Sequence, residues 1–242
     1  MDSLPDLAAV EAMDEADPLR AFRSRFALPA GVIYLDGNSL GAASHEVFAE
    51  VRQAAMEEWG NGLIRSWNSA GWFHLPLELG DRVGRLIGAA EGQTVVTDST
   101  SINIYKTLHA ALAMRPGRNV IVAEGDSFPT DIYMAEGVLS TRPGITLRLE
   151  GRDAGTIEEL IDDSVAFVLV NHVNYKTGYM HDMQAVTVLI HECGALAILG
   201  FPSETFAHHV EAHLLREAPE EQLLASVLRP LMNCTTPHCM PL

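Results

Sequence analysis

The sequence predicts an α/β fold, a mostly parallel sheet flanked by helices. Between residues 94 and 199, apolar runs of strand length alternate with segments whose apolar residues recur at helical spacing. Residues 165–170 are almost continuously apolar, the pattern of a strand buried on both faces. Arg115-Pro116-Gly117 and Arg142-Pro143-Gly144 punctuate the alternation at the points where connections are needed.

Taken in order, residues 1–30 are acidic and then interrupted by Pro5, Pro18 and Pro29, with a helical apolar pattern around Leu19, Phe22 and Phe26. They read as an arm or short leading helix. Tyr34-Leu35-Asp36-Gly37-Asn38-Ser39-Leu40-Gly41 reads as a brief strand broken by glycines and turn formers. Ser44 is placed to cap a helix with Val47, Val51, Ala54, Ala55 and Trp59 on one face, stopping at Gly60-Asn61-Gly62. Residues 61–75 read as a loop whose Trp67, Trp72 and Phe73 suit core or dimer packing. A helix over 77–87 turns Val83, Leu86 and Ile87 inward.

Strands are expected at 94–97, 119–124, 145–149, 165–170 and 194–199, with helices at 102–114, 131–139, 156–161 and 183–193. The rhythm stops there, so the chain divides into an arm (1–43), a partial sheet domain (44–199) and a divergent tail (200–242). That tail carries His208, His209, His213 and His238, shows no clear strand, and has apolar pairs suited to one or two surface helices.

Thirty-two acidic residues against 16 basic ones leave a formal charge of −16, which opposes binding to nucleic-acid backbones and anionic membranes. No apolar run approaches the roughly 20 residues that span a bilayer. The acidic N-terminus lacks the pattern of a secretory or transit peptide, and three cysteines suit a reducing compartment, so a cytoplasmic protein is expected. Cys234, His238 and Cys239 lack a second ligand pair, and His209 with His213 lacks the glutamate of a zincin helix, so no metal site is expected.

Three loops leave the carboxyl ends of predicted strands, and right-handed crossovers place them along one rim. Asp98-Ser99-Thr100-Ser101 offers hydroxyls at a helix N-terminus, suited equally to a cap and to a phosphate cradle. Phe128-Pro129-Thr130-Asp131 offers an aromatic face and a carboxylate; as a plain helix start it would be capped by Ser127 or Thr130. Asn171 opens the third loop, which Tyr175-Lys176-Thr177-Gly178 closes. No P-loop, GxGxxG or GxSxG pattern is present. Together the loops suggest a phosphorylated aromatic cofactor, pyridoxal phosphate.

In order, residues 34–41, Asp98-Ser99-Thr100-Ser101-Ile102-Asn103, Phe128-Pro129-Thr130-Asp131 and Val173-Asn174-Tyr175-Lys176-Thr177-Gly178 resemble the motifs of the kynureninase family over residues 20–199, roughly the first half of a member. The resemblance implies an incomplete fold-type I pyridoxal-phosphate transferase large domain. It also implies that Thr100 and Ser101 hold the cofactor phosphate. Phe128, Pro129, Thr130 and Asp131 would line the ring with Phe128 stacked on it, Asn171 would contact the cofactor, and Asn38 with Ser39 would lie near the substrate. The family hydrolyses L-kynurenine, or its 3-hydroxy analogue, to the anthranilate and L-alanine in tryptophan catabolism, which leads toward NAD. A complete member is expected to be a homodimer acting on this small molecule.

The sequence departs from the family at residue 200. After Gly194-Ala195-Leu196-Ala197-Ile198-Leu199 the family has an aspartate for the pyridine nitrogen and then an alanine-histidine pair; here Gly200-Phe201-Pro202-Ser203 follows. The tyrosine-lysine pair that supplies the Schiff-base lysine lies beyond the matching region. The chain's two lysines, Lys106 and Lys176, do not fall at that position, so no catalytic residue is assigned and hydrolase activity is expected to be impaired in this chain; the alternative is an inactive remnant that at most binds the cofactor or dimerises. A frameshift, a gene-boundary error and a truncated paralogue are the three readings of this break.

Overall fold

The computed structural model describes residues 5–37 and 39–200. These described residues form two compact units that divide between Phe73 and His74.

In the first unit, helix α1 (Leu7–Ala16) starts at Asp6, whose carboxylate accepts the Ala9 N–H at 2.9 Å. A 3-10 turn follows at Arg20–Arg25. The described residues of 34–41 form no strand; the Tyr34 hydroxyl instead donates to the Leu40 carbonyl at 2.6 Å. Helix α2 (His45–Gln53) has Ser44 as N-cap, its hydroxyl accepting the Val47 N–H at 3.3 Å, and runs on as a π-helical segment, Ala54–Gly62. The stretch expected to be loop contains a 3-10 turn (Leu63–Arg65) and the single-turn helix α3 (Ser66–Ser69). Among the described residues of this unit only Ser66 is buried.

The second unit opens with α4 (Leu75–Ile87), whose Gly80 and Gly84 are buried because the backbone and side chain of Thr94 approach there too closely for a larger residue. That contact turns the helix so that Leu86, expected inward, is 80% exposed. Residues 94–97, expected as a strand, form none and do not join the sheet. Then come α5 (Thr100–Met114), β1 (Val120–Glu124), α6 (Pro129–Thr141), β2 (Thr146–Glu150), α7 (Ile157–Leu160), β3 (Val165–Asn171), α8 (Met183–Glu192) and β4 (Leu196–Gly200).

The four strands lie in the order β2-β1-β3-β4 and every pairing is parallel. Side-chain alternation gives the sheet two covered faces. Ile121, Ala123, Phe167, Leu169 and Ile198 pack with Ile104 and Leu108 of α5 and Ala135 of α6. Val122, Val168, Val170 and Leu199 pack with Leu160 of α7 and Ile190 of α8. Between Val120↔Val165 and Ile121↔Phe167 the register shifts by one residue, a bulge that sends both Ala166 and Phe167 to the first face.

The chain passes from β1 outward to β2 and then returns to β3 on the other side of β1, so the connections change direction between β1 and β3. Open α/β sheets bind ligands in the crevice outside the carboxyl ends of the strands at such a point.

Candidate functional site

The loops after β1 and β3 meet at this crevice. Gly125 lets the first loop pass close to β2, since a Cβ there would strike the Glu150 carbonyl. Phe128 begins α6, Pro129 supplies a preset first turn, and neither Ser127 nor Thr130 caps the helix. The Ser127 hydroxyl instead accepts from the Asn171 side-chain amide at 3.0 Å. A second amide, Asn174, donates to Asp126 at 2.8 Å, and the rings of Phe128 and Tyr175 meet edge to face at 5.2 Å. The two loops are thereby tied together, with Phe128 still 51% exposed.

Asp131 lies buried in the first turn of α6, 5% exposed. Burial pushes its carboxyl from the ordinary 3.8 up to about 6; hydrogen bonding from Asn171 lowers it, repulsion from Glu124 raises it and Thr130 lowers it again. Glu150, at the end of β2, is also raised, by burial first and then by the charge of Glu124. Thr130 is half-buried and Pro129 exposed.

Helix α5 joins β1 through a short connection and packs on the sheet, so it runs back against the strands with its N-terminus toward the rim where they end. Ser99 caps it by accepting the Ile102 N–H at 3.5 Å, leaving Thr100 and Ser101 in the first turn, both half-buried and with no acidic residue within that turn. An uncharged first turn at a helix N-terminus suits an anion. Asp98 just before it has φ +43°, and its carboxylate is held low by its hydrogen bond from Lys106, then by that from Thr97. Backbone strain of this kind in a non-glycine residue persists where the surroundings hold it.

Ser39 lies in the first unit, exposed, its N–H donating to the Asp36 carbonyl at 3.2 Å; Asn38 lies outside the described residues, as do the tail histidines, Cys234 and Cys239. Among the described residues no cluster of three metal-ligating side chains occurs, and no helix is long and apolar enough to cross a membrane. An open groove of about 490 Å³ in the first unit, lined by Val51, Ala54, Ala55, Trp59 and Trp72, offers almost no polar surface for chemistry.

No protein-family model matches the chain. A kynureninase of Pseudomonas fluorescens is 53% identical over 207 residues, covering 84% of this chain and 50% of that protein. A kynureninase of Burkholderia pseudomallei (strain 1106a) is 50% identical over 192 residues, covering 77% and 46%. The chain is a partial homologue of the kynureninases. It spans about half the length of these curated relatives.

Among solved structures, a C-DES mutant with glycine covalently linked to its PLP cofactor superposes with a TM-score of 0.65 at 12% identity, over 85% of this chain and 61% of that one. A cysteine desulfurase of Escherichia coli gives 0.61 at 18% identity, over 81% and 51%. These likenesses establish the fold, α/β of the fold-type I kind, which agrees with the architecture expected from the sequence.

Two residues at the crevice carried no expectation from the kynureninase motifs. Glu124 ends β1, and His181 ends the loop after β3; their side chains pair at 2.7 Å. The available signal was a carboxylate closing an otherwise apolar buried strand, which needs a partner. At the end of β4, Gly200 contributes no side chain, and a Cβ there would collide with the Asn171 amide oxygen.

Proposed function

We propose that the chain is the phosphate- and ring-holding part of a kynureninase-like hydrolase that uses pyridoxal phosphate. The observation that carries the proposal is the meeting of Ser127, Phe128, Asp131 and Asn171 at the sheet's change of direction, with an uncharged first turn opening α5. The kynureninase homology supports the substrate class, L-kynurenine or its 3-hydroxy analogue.

The residues present fit the phosphate and one face of the ring. Thr100 and Ser101 would hold the phosphate with their hydroxyls and helix N–H groups. Phe128 would cover the ring face, and Pro129, Thr130, Asp131 and Asn171 would line its edge. Asn38 and Ser39 would serve the substrate. When bound, the cofactor withdraws electrons from the bond to be cleaved. Asp131, protonated up to about pH 6, can hold a proton at a carboxyl oxygen in acid and accept a hydrogen bond above that range. The arm at 1–43, the sheet domain at 44–199 and the divergent tail at 200–242 complete the reading, together with a cytoplasmic location and a homodimer for the whole protein.

A second reading is favoured by the placement of the lysines. Lys106 is paired with Asp98, and Lys176 sits in an exposed turn with its ammonium 5.3 Å from the Tyr175 ring centroid. On that reading the chain binds the cofactor without turnover.

Incubation with pyridoxal phosphate, borohydride reduction and peptide mapping, alongside an assay of anthranilate release, separates the two. Turnover with a labelled lysine supports the hydrolase. Saturable binding with neither supports the non-catalytic reading, and absence of binding sinks both.

A further inference from the structure

Glu124 is 4% exposed, at a position where the strand pattern asks only for an apolar side chain. A buried carboxylate is costly unless its lone pairs are satisfied. The last ladder pair between β1 and β3 is Ala123↔Leu169. Beyond it the Glu124 carboxylate does what the ladder no longer does: Oε2 accepts the Asn171 backbone N–H at 2.7 Å. Oε1 lies 2.7 Å from Nε2 of His181, and the His181 backbone N–H donates to the His172 carbonyl at 3.0 Å. One carboxylate therefore grips both ends of the loop after β3, residues 171 and 181, from the end of β1.

The side-chain amide of Asn171 then donates to Ser127 at 3.0 Å and favours the charged form of the neighbouring Asp131. We propose that Glu124 is a positioning residue for the crevice: by holding Asn171 and His181 it sets where the Asn171 amide stands between Ser127 and Asp131, and so governs how the crevice accepts the cofactor ring. This rests on the cofactor reading above. The charges that share the region are Glu150 from β2, Asp126 from the loop after β1, and His181 itself. Glu124 also repels Asp131 directly and contributes to its upward shift. A plain structural pin would hold the loop without affecting the proton on Asp131 or the binding of a ring.

The test uses the full chain and the variants Glu124→Gln, Glu124→Ala and His181→Gln. Glu124→Gln keeps an acceptor for the Asn171 N–H and removes the charge, so it preserves the fold if Glu124→Ala does not. Carboxyl-carbon NMR without ligand is expected to show Asp131 titrating lower in Glu124→Gln than in the parent chain, because the charge that raises it is removed. Fluorescence titration with pyridoxal phosphate is expected to show Glu124→Ala binding about tenfold more weakly and Glu124→Gln within about threefold of the parent. His181→Gln is expected to fall between them.

An Asp131 titration identical in parent and Glu124→Gln, or unaltered cofactor affinity in a folded Glu124→Ala or, where that variant does not fold, in His181→Gln, overturns the proposal. Failure of the parent chain to bind pyridoxal phosphate removes the cofactor reading instead, and the Asp131 titration still decides whether Glu124 controls that carboxyl.

Discussion

In the second unit Phe167, Ile121 and Leu169 are sealed between helices, whereas in the first Ile33, Leu35 and Trp59 stand 84%, 87% and 68% exposed. Both units are rich in apolar residues. They differ in layering. The parallel strands present two faces, and each crossover lays a helix back on one of them, so every apolar side chain of β3 finds a cover. Among its described residues the first unit has helices and turns but no sheet, and an amphipathic helix without a second layer displays its apolar stripe instead of burying it.

The largest expected effect tests this contrast directly. Phe167→Ala should destabilise the second unit by about 3–5 kcal/mol in urea unfolding, the usual cost of emptying an aromatic site in a core. Trp59→Ala should cost less than about 1 kcal/mol, because most of that ring already meets solvent. An equal loss from Trp59→Ala would show that the first unit is covered in solution.

Next in size is the pH dependence from Asp131. Its folded pKa of about 6 lies above the ordinary 3.8, so the folded chain binds more protons than the unfolded chain in that interval. Stability should fall as pH rises from about 4 to about 6 and level off above, by roughly 3 kcal/mol at most. Asp131→Asn should flatten this slope, as read from unfolding midpoints across the range. A slope that survives the substitution would place the proton elsewhere.

The units should also differ in ligand binding. Ser101→Ala should weaken pyridoxal-phosphate binding about tenfold through loss of a hydrogen bond to a charged group. Ser39→Ala, in the first unit, should leave cofactor affinity unchanged, since Ser39 is assigned to substrate. The smallest effect concerns the caps. Removing the hydroxyl by Ser99→Ala should lower the main unfolding transition by about 1 kcal/mol. Ser44→Ala should leave that transition in place and loosen only α2, detectable by amide hydrogen exchange.

Most of the second unit was legible because its strands are short apolar runs between Pro–Gly breaks; β1 to β4 fall within two residues of the expected bounds. Residues 94–97 have the same local pattern and are not paired, since ladder formation depends on a neighbouring strand that a local pattern does not reveal. Leu86 was misread for a related reason: two small residues, Gly80 and Gly84, face the packed side and dictate the helix's rotation, which apolar periodicity alone does not capture. The rim loops were legible as motifs. The joining of Glu124 to Asn171 and His181 was not, because it links residues 47 and 57 positions apart through side-chain atoms whose approach only the fold determines.

The collision between position 200 and Asn171 limits what single substitutions can achieve. Any side chain introduced at Gly200 must displace the Asn171 amide, and with it the bond to Ser127. A carboxylate acquired at the end of β4 would therefore change its neighbour's contacts as it arrived. The two positions are coupled: the worth of a side chain at 200 is set by what stands at 171, and a route introducing an acid there passes through both.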